Sequence, residues 1–108
     1  MNKENTGDEI NASLGNWSFG EGVEEKFDNH VRKSVPGYDL SHYIATLLSD
    51  PFLRENSSIV DIGCSTGTFL RCLENRHKNK SLSYFGLDSQ SNMIEKAKSL
   101  STNKSKIQ

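Results

Sequence analysis

The chain has 108 residues, 33% of them hydrophobic and 25% charged, with a formal net charge of −1; that is enough for one small domain, and polar for a globular one. No N-terminal apolar segment points to secretion or membrane insertion, so no membrane partner is expected. Cys64 and Cys72 stand eight residues apart with no paired histidines. This matches no zinc spacing, so no metal is expected, and reduced thiols of a cytoplasmic protein are the default.

Residues 1–16 carry only Ile10, Ala12 and Leu14 as aliphatic side chains. They cannot bury enough surface to offset their ordering entropy and read as a disordered arm. Trp17 and Phe19 read as pins holding that arm to the core. Val23, Phe27 and Val31 recur every four residues and predict a helix over 21–33. Pro36 and Gly37 break it. A second helix follows, capped by Asp39 or Ser41, with Tyr43, Ile44, Leu47 and Leu48 as its apolar face. Together 17–53 read as a helical lid.

Ser58-Ile59-Val60-Asp61-Ile62 is a short run rich in β-branched residues, expected to be a buried strand. A helix over 66–77 turns Phe69, Leu70 and Leu73 inward. A second strand covers 82–87, and a further helix, capped by Ser89 or Ser91, places Met93, Ile94, Ala97 and Leu100 on one side. Residues 101–108 read as a flexible tail. Strand, helix, strand, helix at this spacing implies a parallel βαβ unit. The expected fold is therefore α/β, a partial Rossmann-like parallel sheet preceded by two N-terminal helices, with 54–100 as its first half. Two strands alone are marginal, so more sheet is expected.

Residues 1–70 hold 5 Lys/Arg against 11 Asp/Glu, and residues 71–108 hold 8 against 3. The basic side chains are spread over a loop, a helix face and a tail. A solvated face is the plainer reading than an RNA surface. His30, His42 and His77 are scattered and read as surface or satisfied histidines.

The stretch Gly63-Cys64-Ser65-Thr66-Gly67 carries the chemistry. In an open parallel sheet, ligands bind beyond the carboxyl ends of strands. Glycines at 63 and 67 let a ligand approach the backbone. Asp88 follows Gly67 by twenty-one residues, close to the spacing at which a carboxylate accepts ribose hydroxyls. Ser65 stands where a dinucleotide fingerprint needs glycine, and no Gly-Lys-Ser/Thr sequence is present, so a nucleoside without pyrophosphate remains. Asp61 at the strand mouth repels phosphate and suits an ammonium or sulfonium group. Each residue also has a plainer reading. The glycines could merely permit a tight turn. Asp88 could cap a helix, and Asp61 could bond the amides of the following turn. Cys64 and Met93 could be core, and Tyr38 could be a packing aromatic.

"VDIGCSTG" and "YFGLDSQSNMIEKAK" together resemble the first two motifs of the Rossmann-like S-adenosylmethionine-dependent methyltransferases, with serine at the middle glycine. The Gly-Cys-Ser variant, with "KSVPGY" and "WSF", is similar to the carboxy-S-adenosylmethionine synthase branch and related tRNA wobble-uridine modification enzymes. The resemblance covers residues 17–100. It implies S-adenosyl-L-methionine as cofactor. Gly63, Cys64 and Ser65 would wrap its methionine end, Asp88 and Ser89 would hold the ribose, Met93 would lie near the adenine, and Tyr38 would reach in from the helices. It also implies a small-molecule or tRNA-linked substrate. Family members use an arginine and an asparagine further along, and acidic contacts after the third strand. These positions do not exist here, so no catalytic residue is assigned. A non-catalytic cofactor- or protein-binding module is the rival reading, and a homo-oligomer or a missing C-terminal half is the expected complement of a partial sheet.

Overall fold

A computed structural model describes residues 3–5, 11–13, 22–101 and 105–108. Trp17 and Phe19 lie outside these residues. Two three-residue strands, β1 (Lys3–Asn5) and β2 (Asn11–Ser13), pair antiparallel with each other. The main body runs α1 (Val23–Ser34), α2 (Tyr38–Leu48), β3 (Ser58–Ile62), α3 (Thr68–Arg76), β4 (Ser83–Leu87), α4 (Ser91–Leu100) and β5 (Ser105–Ile107). Strands β3, β4 and β5 form a parallel sheet in that order, with β3 at one edge. The βαβ reading holds, and two helices precede the first strand of this sheet.

The third strand falls in the stretch read as a flexible tail. Ile107 pairs with Gly86 and is buried at 6% exposure. One apolar side chain among polar neighbours gives no period-2 pattern to read. The strand is held instead by its backbone ladder and by Gln108, whose N–H donates to the Gly86 carbonyl at 2.8 Å.

Register explains how the sheet is covered. Asp61, Gly86 and Ile107 lie side by side, and so do Val60, Phe85 and Lys106. The first row faces the helices. Its neighbours Leu70, Leu73, Ile94 and Ala97 form the core with Cys64, Tyr84 and Ile107. Gly86 makes the room: a Cβ there would stand 2.9 Å from both the Cys64 Sγ and the Leu70 Cδ1. The second row faces away. Val60 is 55% and Ile62 83% exposed, and the Lys106 ammonium sits 5.8 Å over the Phe85 ring. Parallel sheets are normally covered on both sides; the described residues cover this one on one.

The N-terminal helices are tied to the sheet layer differently. Val23 and Phe27 of α1 pack on Met93 of α4. Asp28 accepts hydrogen bonds from the Thr66 and Thr68 hydroxyls at 2.7 and 3.0 Å, fastening α1 to the start of α3. Helix α2 differs from expectation. It begins after Gly37, not at Asp39 or Ser41, and Tyr43, Ile44 and Leu48 are exposed while Thr46 is buried. The apolar periodicity is real, but the described residues offer no surface opposite it. Similarly, α4 begins after Gln90 rather than after a serine cap, and Leu100 is exposed.

Candidate functional site

Between β3 and α3 the backbone enters the left-handed region at every second residue: φ is +78° at Gly63, +51° at Ser65 and +76° at Gly67. Glycine takes this conformation freely; serine does so at a cost. Ser65 therefore occupies a glycine's conformation at the position where the family pattern has glycine. The compensation is visible. Its N–H donates to the Asp88 Oδ2 at 2.8 Å, a charge-assisted bond. The Gly63 and Cys64 N–H groups both donate to the Leu87 carbonyl, at 2.7 and 2.9 Å. The bend is thus stitched to the end of β4, and the bend and Asp88 lie side by side as their spacing predicts.

Both oxygens of Asp88 accept a hydrogen bond from the protein. Its Oδ1 accepts the Gln90 N–H at 2.9 Å, forming a side-chain turn that leads into α4. Asp61 is the opposite. It is half-buried, and its carboxylate accepts no hydrogen bond from the described residues. Burial raises its pKa above the ordinary carboxylate value; the nearby His42 acts the other way and the Asp88 charge adds to the rise. The alternative in which Asp61 bonds the amides of the turn does not hold, because the Gly63 and Cys64 amides go to Leu87, the Ser65 amide to Asp88 and the Gly67 amide to the Cys64 carbonyl.

Two cavities open on either side of the bend and share Gly63 and Ser65. The larger, about 640 Å³, has Leu87, Asp88, Ser89, Gln90 and Met93 in its wall, with Gln108 at its rim. Gln108 was invisible to motif reading; its backbone carbonyl accepts the Asp88 N–H at 3.1 Å. The smaller, about 350 Å³, lies under α2 and is lined by Tyr38, His42, Asp61, Cys64, Thr68 and Phe69, among others. Of the residues singled out by sequence, only Gly67 lines neither. It serves the turn, and a Cβ there would press on the Arg71 guanidinium at 3.3 Å. Met93 is both wall and core, at 1% exposure. The Cys64 side chain is buried against Gly86, and burial pushes its thiol up to about 11, so it is no nucleophile at neutral pH.

His77 is a satisfied histidine, buried and bonded to the Ser49 hydroxyl at 2.8 Å. His42 is not of that kind. It lies one helical turn after Tyr38, which places both on the same face of α2. That i, i+4 relation to a suspected ligand contact was the signal available in the sequence.

No family model matches the chain. It is 32% identical over 87 residues, 81% of its length, to the carboxy-S-adenosyl-L-methionine synthase of Yersinia pestis (strain Pestoides F), and equally so to that of Yersinia pseudotuberculosis serotype O:1b (strain IP 31758). It spans about a third, 33%, of the length of these relatives. Among solved structures, the plantazolicin methyltransferase BpumL, in complex with triazolic desmethylPZN analog and SAH, superposes with a TM-score of 0.57 at 24% identity. That match covers 77% of this chain and 32% of BpumL. A chain from a complex containing the Haloferax volcanii Trm112 methyltransferase activator gives 0.55 at 22% identity, covering 84% of this chain and 39% of the other. The chain is homologous to the carboxy-S-adenosyl-L-methionine synthases and has the Rossmann-like fold of class I methyltransferases.

Proposed function

We propose that the two cavities together hold S-adenosyl-L-methionine, and that the chain is the cofactor-binding part of a methyltransferase-type enzyme. The observation that carries this reading is the two-lobed cleft hinged on Gly63 and Ser65, with one carboxylate in each lobe. A nucleoside joined to an amino acid through a sulfonium has that shape and needs those charges.

In the larger lobe each Asp88 oxygen accepts one backbone N–H. The remaining lone pairs are available to ribose hydroxyls, with Ser89 beside them and Leu87 and Met93 as an apolar wall for adenine. In the smaller lobe Gly63, Cys64 and Ser65 follow the methionine chain and Tyr38 closes over it from α2. Asp61 meets the ammonium there. A half-buried carboxylate with no protein donor is costly unless a cation arrives.

The reaction in the usual case is in-line attack on the sulfonium methyl. The protein's share is alignment, worth up to ~7–11 kcal/mol in favourable cases. Homology to the carboxy-S-adenosyl-L-methionine synthases supports the variant in which the cofactor is carboxylated, in service of tRNA modification. The free thiols of Cys64 and Cys72 support a cytoplasmic setting. No helix among the described residues is long and apolar enough to cross a membrane. A second reading, a cofactor- or protein-binding module without activity of its own, is supported by the exposed Val60 on the sheet face away from the helices. The partner would then be a second copy.

Titration calorimetry with S-adenosyl-L-methionine and with its demethylated product tests the reading. Saturable heat with both is expected. A folded sample that binds neither overturns it.

A further inference from the structure

The smaller cavity has a donor problem. An amino-acid head group is a zwitterion, and its carboxylate needs hydrogen-bond donors as much as its ammonium needs an acceptor. The backbone of the bend cannot supply them. The N–H groups of Gly63, Cys64 and Ser65 are all engaged within the protein, with Leu87 and Asp88. Two of the hydroxyls nearby are committed too: Ser41 donates to the Tyr38 carbonyl at 2.7 Å and Thr68 donates to Asp28 at 3.0 Å. The Ser65 hydroxyl and the Tyr38 phenol remain, and both are uncharged donors. Among the residues lining this cavity, His42 is the one basic side chain.

The imidazole is also held for the task. Its ring centroid lies 4.4 Å from that of Tyr38 and 5.4 Å from that of Phe69. These rings fix its plane from two sides. Its Nδ1 is sealed from solvent and meets no hydrogen-bond partner among the described residues. A bare acceptor there costs less than a bare N–H, so the neutral ring carries its proton on Nε2, the nitrogen that a ligand can reach. Helix α2 thus contributes an N–H donor to the wall of a cavity that already contains Asp61.

We propose that His42 is a ligand-contacting residue that donates a hydrogen bond to the carboxylate of the amino-acid end, opposite Asp61, which takes the ammonium. The inference rests on the proposed function and adds the group that reads the zwitterion. Burial holds the imidazole below its ordinary pKa, against the charges of Asp39 and Asp61, so at neutral pH the donor is a neutral ring N–H. The pair then matches the head group with one acceptor anion and one donor, and discriminates against a nucleoside thioether lacking that head.

The test compares two ligands on the full chain by titration calorimetry: S-adenosyl-L-methionine and its decarboxylated form, which keeps both cationic groups. The native chain is expected to prefer the carboxylated ligand by roughly tenfold to a hundredfold, the worth of a hydrogen bond to a charged group. His42→Phe, with folding checked by circular dichroism, is expected to erase that preference while leaving the decarboxylated ligand's affinity unchanged. His42→Gln, which retains a donor, is expected to restore part of it. A preference that survives His42→Phe, or an equal loss for both ligands, overturns the proposal. Failure of the native chain to bind either ligand overturns the reading beneath it, and is distinguishable because no variant enters.

Discussion

Asp61 and Asp88 stand at the ends of neighbouring strands and face the same cleft, yet the protein treats them oppositely. Asp88 receives two backbone N–H groups, from Ser65 and Gln90. Asp61 receives none from the described residues, and burial raises its pKa. One carboxylate holds a serine in a glycine's conformation and launches α4. The other is kept against its own solvation preference. Under the proposed function, the difference separates a residue that builds the cleft from one that meets the ligand, a distinction that composition and spacing alone cannot make.

The sharpest way to break this comparison is Asp88→Ala. It should cost about 2–4 kcal/mol by urea unfolding, since two charge-assisted bonds vanish and the Ser65 N–H is left without its acceptor. Cofactor affinity should fall with it. Unchanged stability would show that the bend holds itself. Next in size, Asp61→Asn should move stability and affinity in opposite directions. We expect a gain on the order of 0.5–1 kcal/mol in stability, the usual sign where function is served by a strained or destabilising group. Affinity for S-adenosyl-L-methionine should drop by at least roughly tenfold. A loss of stability instead would make Asp61 structural.

A pH titration of unfolding sharpens the same point. Asp61 binds its proton more tightly folded than unfolded, so its contribution is fully present below the unfolded pKa and is lost as pH rises through the raised folded value. The native chain should lose that increment in mildly acidic solution and Asp61→Asn should not. Coincident profiles would contradict the pKa shift. Away from both carboxylates, Gly63→Ala should cost about 1–2 kcal/mol from its positive φ alone, because a Cβ there meets nothing within 4 Å. A much larger cost would mean that a side chain at 63 meets more than open space.

Much of this was legible beforehand. Strand β3 spans the residues its β-branched run predicts, and the adjacency of the bend and Asp88 follows from motif spacing, because both are local consequences of a βαβ unit. What was not legible depended on partners far along the chain. Strand β5 rests on the backbone ladder and on a single buried isoleucine. The stripe on α2 has the right period, but only the fold reveals that nothing described lies opposite Tyr43 and Leu48. His42 looked ordinary because its meaning comes from Asp61 and Phe69, which lie beyond its own helix.

Val60, on the face of β3 away from the helices, is 55% exposed, and no described residue covers it. Aliphatic strand surface left in water is a standing invitation to mass action, so this chain's melting temperature should climb with protein concentration. Dilution series belong beside each titration, and Val60→Lys should flatten them.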